Sequence, residues 1–304
     1  MAEALKNQFG PDVPQAICRM VKAVYRAFDE AAFLHEASMQ AQYALTQRFT
    51  AEFSIRPFLE QHPQATLAPL RQWAFDASPQ VRRLVSEGTR PRLPWASRLR
   101  EFQKDPTPVL ALLELLKDDV DLYVRRSVAN NLNDIGKDHP VLLTQTAQRW
   151  LDGAGTERQW IVRHALRSAV KRGEAGALAV LGFGQAAQVT VRDAAIVPTQ
   201  AVMGTSVTLR CELHNPQAHA QRVLVDFCVH YIKANGQPKP KVFKLTTVDL
   251  AAGDTLRLSK RLSLSEMSTR KHYPGTHRVE LLLNGAPHPL GSFELLPGEV
   301  VLNS

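Results

Sequence analysis

The sequence is poor in cysteine and has no long apolar run. Its 304 residues include three cysteines, Cys18, Cys211 and Cys228, which are too few and too scattered for a disulfide framework or a zinc site. We therefore expect buried free thiols and no bound metal. No run of 18 or more apolar residues is present, and the first residues lack the apolar stretch of a signal peptide. These absences predict a cytoplasmic protein that does not associate with a membrane.

The composition is that of an ordinary globular protein with a basic excess. Hydrophobic residues make up 44% of the chain and charged residues 22%, which is enough apolar material for a core. The length suggests two domains or one extended array. Lys and Arg number 37 against 29 Asp and Glu, so the formal net charge is +8. This charge favours an anionic partner such as nucleic acid, although many basic proteins bind none.

The chain from Pro11 to about Gly182 has the 3.6-residue periodicity of helices. Pro79 after Ser78 marks the start of one helix, and Gly173 after two basic residues marks the end of another. The short connections predict antiparallel pairs. The predicted helices are Val13–Ala27, Asp29–Ala37, Tyr43–Gln61, Thr66–Asp76, Pro79–Gly88, a short one near Trp95–Phe102, Thr107–Lys117, Asp121–Ile135, Pro140–Asp152, Thr156–Arg172 and Ala175–Leu181.

A three-residue frame recurs in this half of the chain, as Val81-Arg82-Arg83, Val124-Arg125-Arg126 and Val162-Arg163-His164. The offsets are 124 − 81 = 43 and 162 − 124 = 38 residues, in or near the ~40–47 residue period of HEAT-type repeats. The pattern predicts a helical-repeat solenoid.

The second copy of the frame opens a helix with an apolar stripe and a polar face. At about 100° per residue, Val124, Val128, Leu132 and Ile135 share one side. The polar face is either solvated, as most charged helix faces are, or a binding surface that carries a carboxylate among basic residues. Its members are Arg126, Asn130, Asn133 and Asp134.

Beyond about residue 184 the period changes from 3.6 to 2, which indicates strands. Turn pairs such as Asn284-Gly285 separate seven predicted strands, the number and spacing of an immunoglobulin-like sandwich. The strands are Gln188–Val191, Ser206–Leu213, Arg222–Ile232, Lys241–Val248, Thr255–Leu262, His277–Leu283 and Gly291–Leu296. Basic residues predicted in loops, Lys239 and Lys241 around one hairpin and Arg270 and Lys271 before another strand, form either a phosphate clamp or plain solvated loops.

Several strings resemble one family. They are "SEGTRPRLPW" at residues 86–95, "RRSVANNLNDIGKDHP" at residues 125–140, and the segments Arg48–Phe58 and Trp160–Arg167. Together they resemble the AlkC branch of the HEAT-like-repeat DNA alkylation-repair glycosylases, over roughly residues 48–181. Some members of that branch carry an added immunoglobulin-like domain. The resemblance therefore implies a HEAT-like repeat glycosylase domain at residues 1–184 and an immunoglobulin-like sandwich, a candidate DNA clamp, at residues 185–304.

The resemblance also implies a set of site residues. Glu52, Glu87 and Asp134 correspond to the active-site carboxylates, Trp95 to an aromatic wall and Arg83 to a basic neighbour. Carboxylates suit this chemistry, because loss of a cationic methylated base leaves an oxocarbenium-like sugar that a negative charge stabilises until water captures it.

Alternatives remain open for two of these residues. Trp95 could be a core residue, and Glu52, beside the apolar Phe49 and Phe53, could be a buried partner of Arg48 or Arg56. Three further basic residues are expected to face phosphates along the repeat surface: Arg126, Arg163 and Arg167.

The implied function is removal of 3-methylcytosine or 3-methyladenine from duplex DNA without a base-flipping pocket. The implied partner is alkylated double-stranded DNA at the nucleoid, with no cofactor and no obligate protein partner. No lysine stands at the carboxylate positions, which predicts a monofunctional enzyme. The alternative is a non-catalytic HEAT scaffold that binds DNA or an acidic protein. One departure is that the chain is shorter near residues 37–42 than the family pattern, which has further helices there.

Overall fold

The computed structural model describes residue 19, residues 30–265 and residues 271–297. Of the predicted helix Val13–Ala27 only residue 19 is described, and Cys18 lies outside the described residues. By its internal contacts the chain divides into two compact units, Met1–Leu166 and Arg167–Ser304. No helix among the described residues is both long and apolar enough to span a bilayer.

The described part of the helical half contains ten α-helices, most of which begin within a few residues of the predicted positions. Proline lies in the first turn of several of them, where its missing N–H costs nothing. The helices are α1 (Glu30–Arg48), α2 (Arg56–Gln61), α3 (Pro63–Trp73), α4 (Pro79–Gly88), α5 (Arg100–Lys104), α6 (Thr107–Leu116), α7 (Leu122–Ile135), α8 (Pro140–Leu151), α9 (Thr156–Lys171) and α10 (Ala175–Val180).

The predicted break between Ala37 and Tyr43 is wrong. Helix α1 runs unbroken through residues 38–42, which contain neither glycine nor proline, and the Ser38 hydroxyl donates to the Leu34 carbonyl oxygen at 2.8 Å. The interruption falls instead at residues 49–55, ahead of Pro57. Proline clashes with the carbonyl four residues earlier, so the chain leaves one helix and starts another around it.

Helix α7 lies at the centre of the repeats and packs against α4, α6 and α8. Contact on several sides buries more than the predicted apolar stripe: Asn133 and Asp134 are 5% and 1% exposed, while Arg126 is exposed. The polar side predicted for this helix is therefore not a uniformly solvated face. Its start follows the expected rule, because the Asp121 carboxylate accepts a hydrogen bond from the Tyr123 backbone N–H at 2.8 Å.

The first arginine of the repeated frame has a structural role in two copies. The Arg82 guanidinium donates to the carbonyl oxygens of Asp76 and Ala77, and Arg125 donates to those of Asp119 and Val120. Each arginine thus fastens the turn before its own helix. In α9 this contact is made by Gln159, whose amide donates to the Ala154 carbonyl oxygen at 3.0 Å.

The second unit contains a sandwich of two sheets. The strands are β1 (Thr190–Val197), β2 (Gln200–Val202), β3 (Ser206–His214), β4 (Gln221–Ile232), β5 (Pro238–Leu250), β6 (Thr255–Ser263), β7 (Gly275–Leu283) and β8 (Ala286–Leu296). Three strands pair in the order β1-β3-β6 and five in the order β2-β8-β7-β4-β5. The predicted Asn284-Gly285 turn is confirmed, with φ of 48° and 82°, the positive values that tight hairpins need.

The sandwich core comes from alternate residues of the two sheets, among them Phe227, Val229 and Tyr231 of β4. On the other side of β4, Leu224 packs with Leu178 and Phe183 of the segment around α10. Cys211 and Cys228 are buried free thiols, as expected, and they lie in different sheets.

Two of the predicted loop cations lie on a strand. Lys239 and Lys241 belong to β5, the edge strand of the five-stranded sheet, because pairing with β4 begins at Pro238. Charged side chains on an edge strand also discourage pairing with another chain. Lys271 is exposed in a connecting segment, and Arg270 lies outside the described residues.

Candidate active site

The predicted carboxylates and Arg83 belong to one network of alternating charges. Glu52 lies in the turn between α1 and α2, and Arg83 and Glu87 lie one turn apart on α4. The Arg83 guanidinium donates to both Glu52 carboxylate oxygens at 3.3 and 3.4 Å, and its Nη2 is 3.9 Å from Glu87 Oε1. It also lies 4.7 Å from the centre of the Tyr123 ring. One cation thus links two of the three carboxylates.

Arg90 links the second carboxylate to the third. Its Nη1 donates to Glu87 Oε1 at 2.6 Å, and its Nε and Nη2 approach Asp134 Oδ2 at 2.8 and 2.7 Å. Burial alone would lower the pKa of Arg90, but the carboxylates of Glu87 and Asp134 raise it above its ordinary value. Arg90 is therefore a permanent cation between two acids.

Two further side chains complete the network. Lys137 Nζ lies 2.7 Å from Asp134 Oδ1, and the Ser127 hydroxyl donates to Glu87 Oε2 at 2.6 Å. Both oxygens of Asp134 and both oxygens of Glu87 are thus engaged. The Lys137 side chain is 37% exposed, so the network reaches solvent at this end.

The three carboxylates differ in how firmly they are held. Asp134 is 1% exposed and has short contacts to two cations, whereas Glu52 is 9% exposed and its contacts to Arg83 are long. Neither Arg48 nor Arg56, the two predicted partners, holds Glu52 in the structure. Its partner is Arg83, while Arg56 donates to backbone carbonyls. The neighbouring Phe49 and Phe53 are exposed by 80% and 44%, so they form no apolar stripe.

Arg56, which is 2% exposed, holds the loop that carries Arg90 by hydrogen bonds to its backbone. Its guanidinium donates to the carbonyl oxygens of Gly88 and Arg90 at 3.1 and 2.9 Å, and to that of Ser97. Burial lowers the pKa of Arg56 to about 10, which still leaves it charged at neutral pH. A buried cation thus fixes the backbone of residues 88–97.

Trp95 lies at the tip of this loop and is not a core residue, because it is 98% exposed. Its φ is 63°, a left-handed value that is rare for a bulky side chain. The loop is otherwise tied down, since the Arg92 guanidinium binds Asp138 and the Leu99 N–H donates to the Pro91 carbonyl oxygen. Trp95 is therefore displayed to solvent on a fixed backbone, and the structure does not bring it into contact with the carboxylates. Strain of this kind is concentrated at functional sites.

The basic residues expected to face phosphates are distributed over two helices. Arg126 on α7 and Arg163 on α9 are exposed, and Arg167 is half-buried one turn beyond Arg163. The Trp160 ring stacks on His164 at 4.9 Å along the same helix. These positions are compatible with a basic surface on each helix.

Three residues of the network were not assigned from the sequence: Arg90, Ser127 and Lys137. Lys137 is three residues after Asp134, a spacing that brings side chains together near a helix end and could have indicated it. The prediction that no lysine stands at the carboxylate positions missed this contact.

The comparisons with known proteins place the chain in a family. Residues 190–297 match the family model described as "Uncharacterised protein YhaZ, C-terminal Ig-like domain". The curated protein YhaZ of Bacillus subtilis (strain 168) is 39% identical over 250 residues, which cover 82% of this chain and 69% of YhaZ. A solved structure, the alkylpurine DNA glycosylase AlkC of Pseudomonas fluorescens bound to DNA containing an abasic site analog, superposes with a TM-score of 0.83 at 38% identity. That match covers 95% of this chain and 84% of the solved chain.

The chain belongs to the AlkC family. The family accounts for both parts of the fold, HEAT-like helical repeats followed by an immunoglobulin-like domain. The resemblance based on "SEGTRPRLPW" and "RRSVANNLNDIGKDHP" is thus confirmed. Both strings supply network residues, the first Glu87 and Arg90, the second Ser127, Asp134 and Lys137.

Proposed function

We propose that this protein is a DNA glycosylase that hydrolyses the N-glycosidic bond of cationic N3-methylated bases in duplex DNA. The observation that carries the proposal is the buried network joining Glu52, Glu87 and Asp134 through Arg83 and Arg90, in a chain of the AlkC family. A purely structural ion pair would not require three carboxylates to meet in one network of a basic protein.

The chemistry follows from the charge of the substrate. A base methylated at a ring nitrogen is a cation and a good leaving group, so the enzyme has little need of a general acid. The sugar left behind is positively charged in the transition state, and fixed negative groups stabilise it with little reorganisation. Hydrogen bonds to Glu87 and Asp134 hold these carboxylates in place before the substrate arrives.

We assign the main electrostatic role to Asp134, with Glu52 and Glu87 assisting. Asp134 is covered on its exposed side by Lys137, whose flexible ammonium group reaches Oδ1. In this proposal the developing sugar cation takes the place of that ammonium group. Glu52, which is the least firmly held carboxylate, is free to orient the attacking water.

The proposed substrates are 3-methylcytosine and 3-methyladenine, and the proposed mode of action uses no base-flipping pocket. Two cavities in the described part of the first unit have volumes of about 810 and 570 Å³. The first is lined by residues such as His35 and Trp73, the second by residues such as Leu59 and Phe102. Neither of these two cavities is lined by a carboxylate of the network.

The decisive experiment incubates the full chain with duplexes that contain a single 3-methylcytosine or 3-methyladenine. We expect release of the free base and an abasic site. Glu101→Gln is the matched control, because this exposed carboxylate pairs with Lys104 away from the network. Tight duplex binding without release of either base would instead favour the non-catalytic scaffold.

We also propose that the enzyme leaves the abasic strand intact. Strand cleavage by a lyase needs a neutral amine to form a Schiff base, and the positions that face the sugar in this proposal carry Glu52, Glu87 and Asp134 instead of a lysine. Borohydride added during turnover should therefore trap no covalent complex. A trapped complex that disappears in Lys137→Met would overturn this part.

The immunoglobulin-like domain, placed at residues 185–304 by the change of period, is proposed to clamp the duplex. The supporting observation is the pair of exposed lysines on the edge strand β5, Lys239 and Lys241, together with exposed Lys271. The Lys241 ammonium lies 5.5 Å from the Phe243 ring centre, which gives this stretch an aromatic as well as a basic character.

A further inference from the structure

A second group of reactive side chains lies in the β-sandwich. Cys228 and His230 are two residues apart on β4, so their side chains share a face of the sheet. On the neighbouring strand β7, Glu280 is the direct partner of Cys228, and Arg278 is the partner of His230. The alternate residues Phe227, Val229 and Tyr231 point into the core, so the group lies on the opposite face of this sheet.

The donor atoms of this group converge. His230 Nε2 is 2.8 Å from Glu280 Oε2 and 3.9 Å from Cys228 Sγ, and the three ligand atoms all lie within 4.8 Å of one another. Cys228 is 4% exposed, and the side chains of His230 and Glu280 are 16% and 19% exposed. We propose that Cys228, His230 and Glu280 form a binding site for one divalent transition-metal ion, with Zn²⁺ the best match.

The distances suit a tetrahedral ion. Zinc binds Cys sulfur at about 2.3 Å and His nitrogen or carboxylate oxygen at about 2.0–2.2 Å, which sets the distances between ligand atoms at roughly 3.3–3.6 Å. On this geometry the His230–Glu280 distance must lengthen by about half an ångström and the Cys228–His230 distance must shorten by about 0.3 Å. The Cys228–Glu280 distance, which is at most 4.8 Å, must shorten to about 3.6 Å. We expect side-chain rotation to supply these changes. The mixed sulfur, nitrogen and oxygen donor set favours zinc over calcium or magnesium.

The positively charged Arg278 guanidinium would repel a metal ion bound at this site. Its Nη2 is 3.3 Å from His230 Nε2 and 3.3 Å from Glu280 Oε1. Nε2 cannot donate to the Glu280 carboxylate and accept from Arg278 at the same time, so the contacts around this nitrogen conflict. The Arg278 side chain is 64% exposed and can swing into solvent when the ion enters.

The test is a titration of the full chain, stripped with a chelator, with Co²⁺ alone and then with Zn²⁺. We expect one equivalent of Co²⁺ to give the absorption band of a cobalt–thiolate bond, and Zn²⁺ to displace it. Cys228→Ser should abolish the band, and His230→Gln should weaken binding at least tenfold. Cys211→Ser removes the buried thiol of the other sheet and should leave the titration unchanged, while Arg278→Ala should tighten binding.

A thermal unfolding series provides a second readout that does not depend on base excision. Zn²⁺ should raise the Tm of the wild type in a concentration-dependent way, as expected of an ion that binds the folded state. At the same Zn²⁺ concentration it should raise the Tm of His230→Gln by less, and the partly exposed position of His230 tolerates this substitution. The absence of a cobalt–thiolate band in the wild type, or its loss in Cys211→Ser and not in Cys228→Ser, would overturn the proposal.

Discussion

Arg90 holds Asp134 by two contacts to the same oxygen, from Nε at 2.8 Å and Nη2 at 2.7 Å, across 44 residues of sequence. Both side chains are buried, so the pair fixes the distance between the loop after α4 and the end of α7. The third nitrogen of the same guanidinium holds Glu87. The position of one carboxylate is thus coupled to the position of the other.

Asp134→Asn should remove the charge that meets the developing sugar cation while preserving the shape of the side chain. Loss of one preorganised electrostatic group typically lowers a rate by ~10²–10³, or roughly 3–4 kcal/mol. We expect a decrease of that size in single-turnover excision, with duplex binding unchanged or tighter. An unchanged rate would refute the role assigned to Asp134.

Arg90→Met should leave two buried carboxylates without their shared cation. Removing one partner of a buried ion pair costs about 3–5 kcal/mol, because the other partner stays buried and unpaired. Urea unfolding followed by the helical circular dichroism signal should show this loss. Adding Asp134→Asn should recover part of the stability, and strictly additive losses would contradict the coupling.

Trp95→Gly and Trp95→Ala should separate the ring from its backbone strain. Glycine adopts a φ of 63° without the ~1–2 kcal/mol penalty of the left-handed conformation, so Trp95→Gly should be at least as stable as the wild type. Both variants lose a stacking surface worth about 1–3 kcal/mol per base. We expect excision to fall about tenfold or more in both, and full excision in either variant would exclude a role for the ring.

Neutralising a phosphate contact should weaken binding to every duplex alike and lower the salt slope by about 1. We expect this of Arg126→Gln, Arg163→Gln and Arg167→Gln, measured by titration at several salt concentrations. Arg158→Gln is the matched control, because its guanidinium holds the Asp118 carboxylate through two contacts of 2.6 Å. A variant that loses excision with an unchanged salt slope acts in the active site instead.

Reversing the charge of the proposed clamp should weaken duplex binding and slow excision at subsaturating protein. Bending a site costs on the order of 1–6 kcal/mol, to which the clamp contacts would contribute. The variant carries glutamate at Lys239, Lys241, Arg270 and Lys271. A matched variant reverses four basic residues of the three-stranded sheet, Arg192, Arg210, Lys260 and Arg261. If the two variants have equal effects, the loss of binding reflects the net charge of the domain, and the clamp proposal is wrong.

The local patterns of the sequence predicted the order of elements better than their contacts. Helix α4 has its predicted bounds because Pro79 and Gly88 delimit it. The sequence pattern does not predict strand β2, because three residues are too few to show an alternation. This strand pairs with β8 in parallel. Strand β8 was predicted to start at Gly291, since Pro287 and Pro289 are atypical of a strand interior.

At the site, too, the sequence predicted individual residues better than the contacts between them. The resemblance named the three carboxylates and Arg83, which lie together. Arg90 could not be assigned from periodicity, because it follows the end of α4 and the direction of a loop side chain depends on tertiary contacts. The cluster of Cys228 and Glu280 was likewise invisible, since its members are 52 residues apart and meet through strand register.

The pairing of each acid in the site with a cation changes the electrostatic field of the protein at long range. Every carboxylate of the network has a cation within 4 Å, and its three acids are matched by Arg83, Arg90 and Lys137. The fields of such close pairs largely cancel within the roughly 10 Å screening length of 0.1 M salt. An approaching polyanion therefore experiences the surrounding basic surface with little subtraction for the acids. At contact distance the fields of the pairs no longer cancel, so a cation small enough to reach Asp134 interacts with that carboxylate directly.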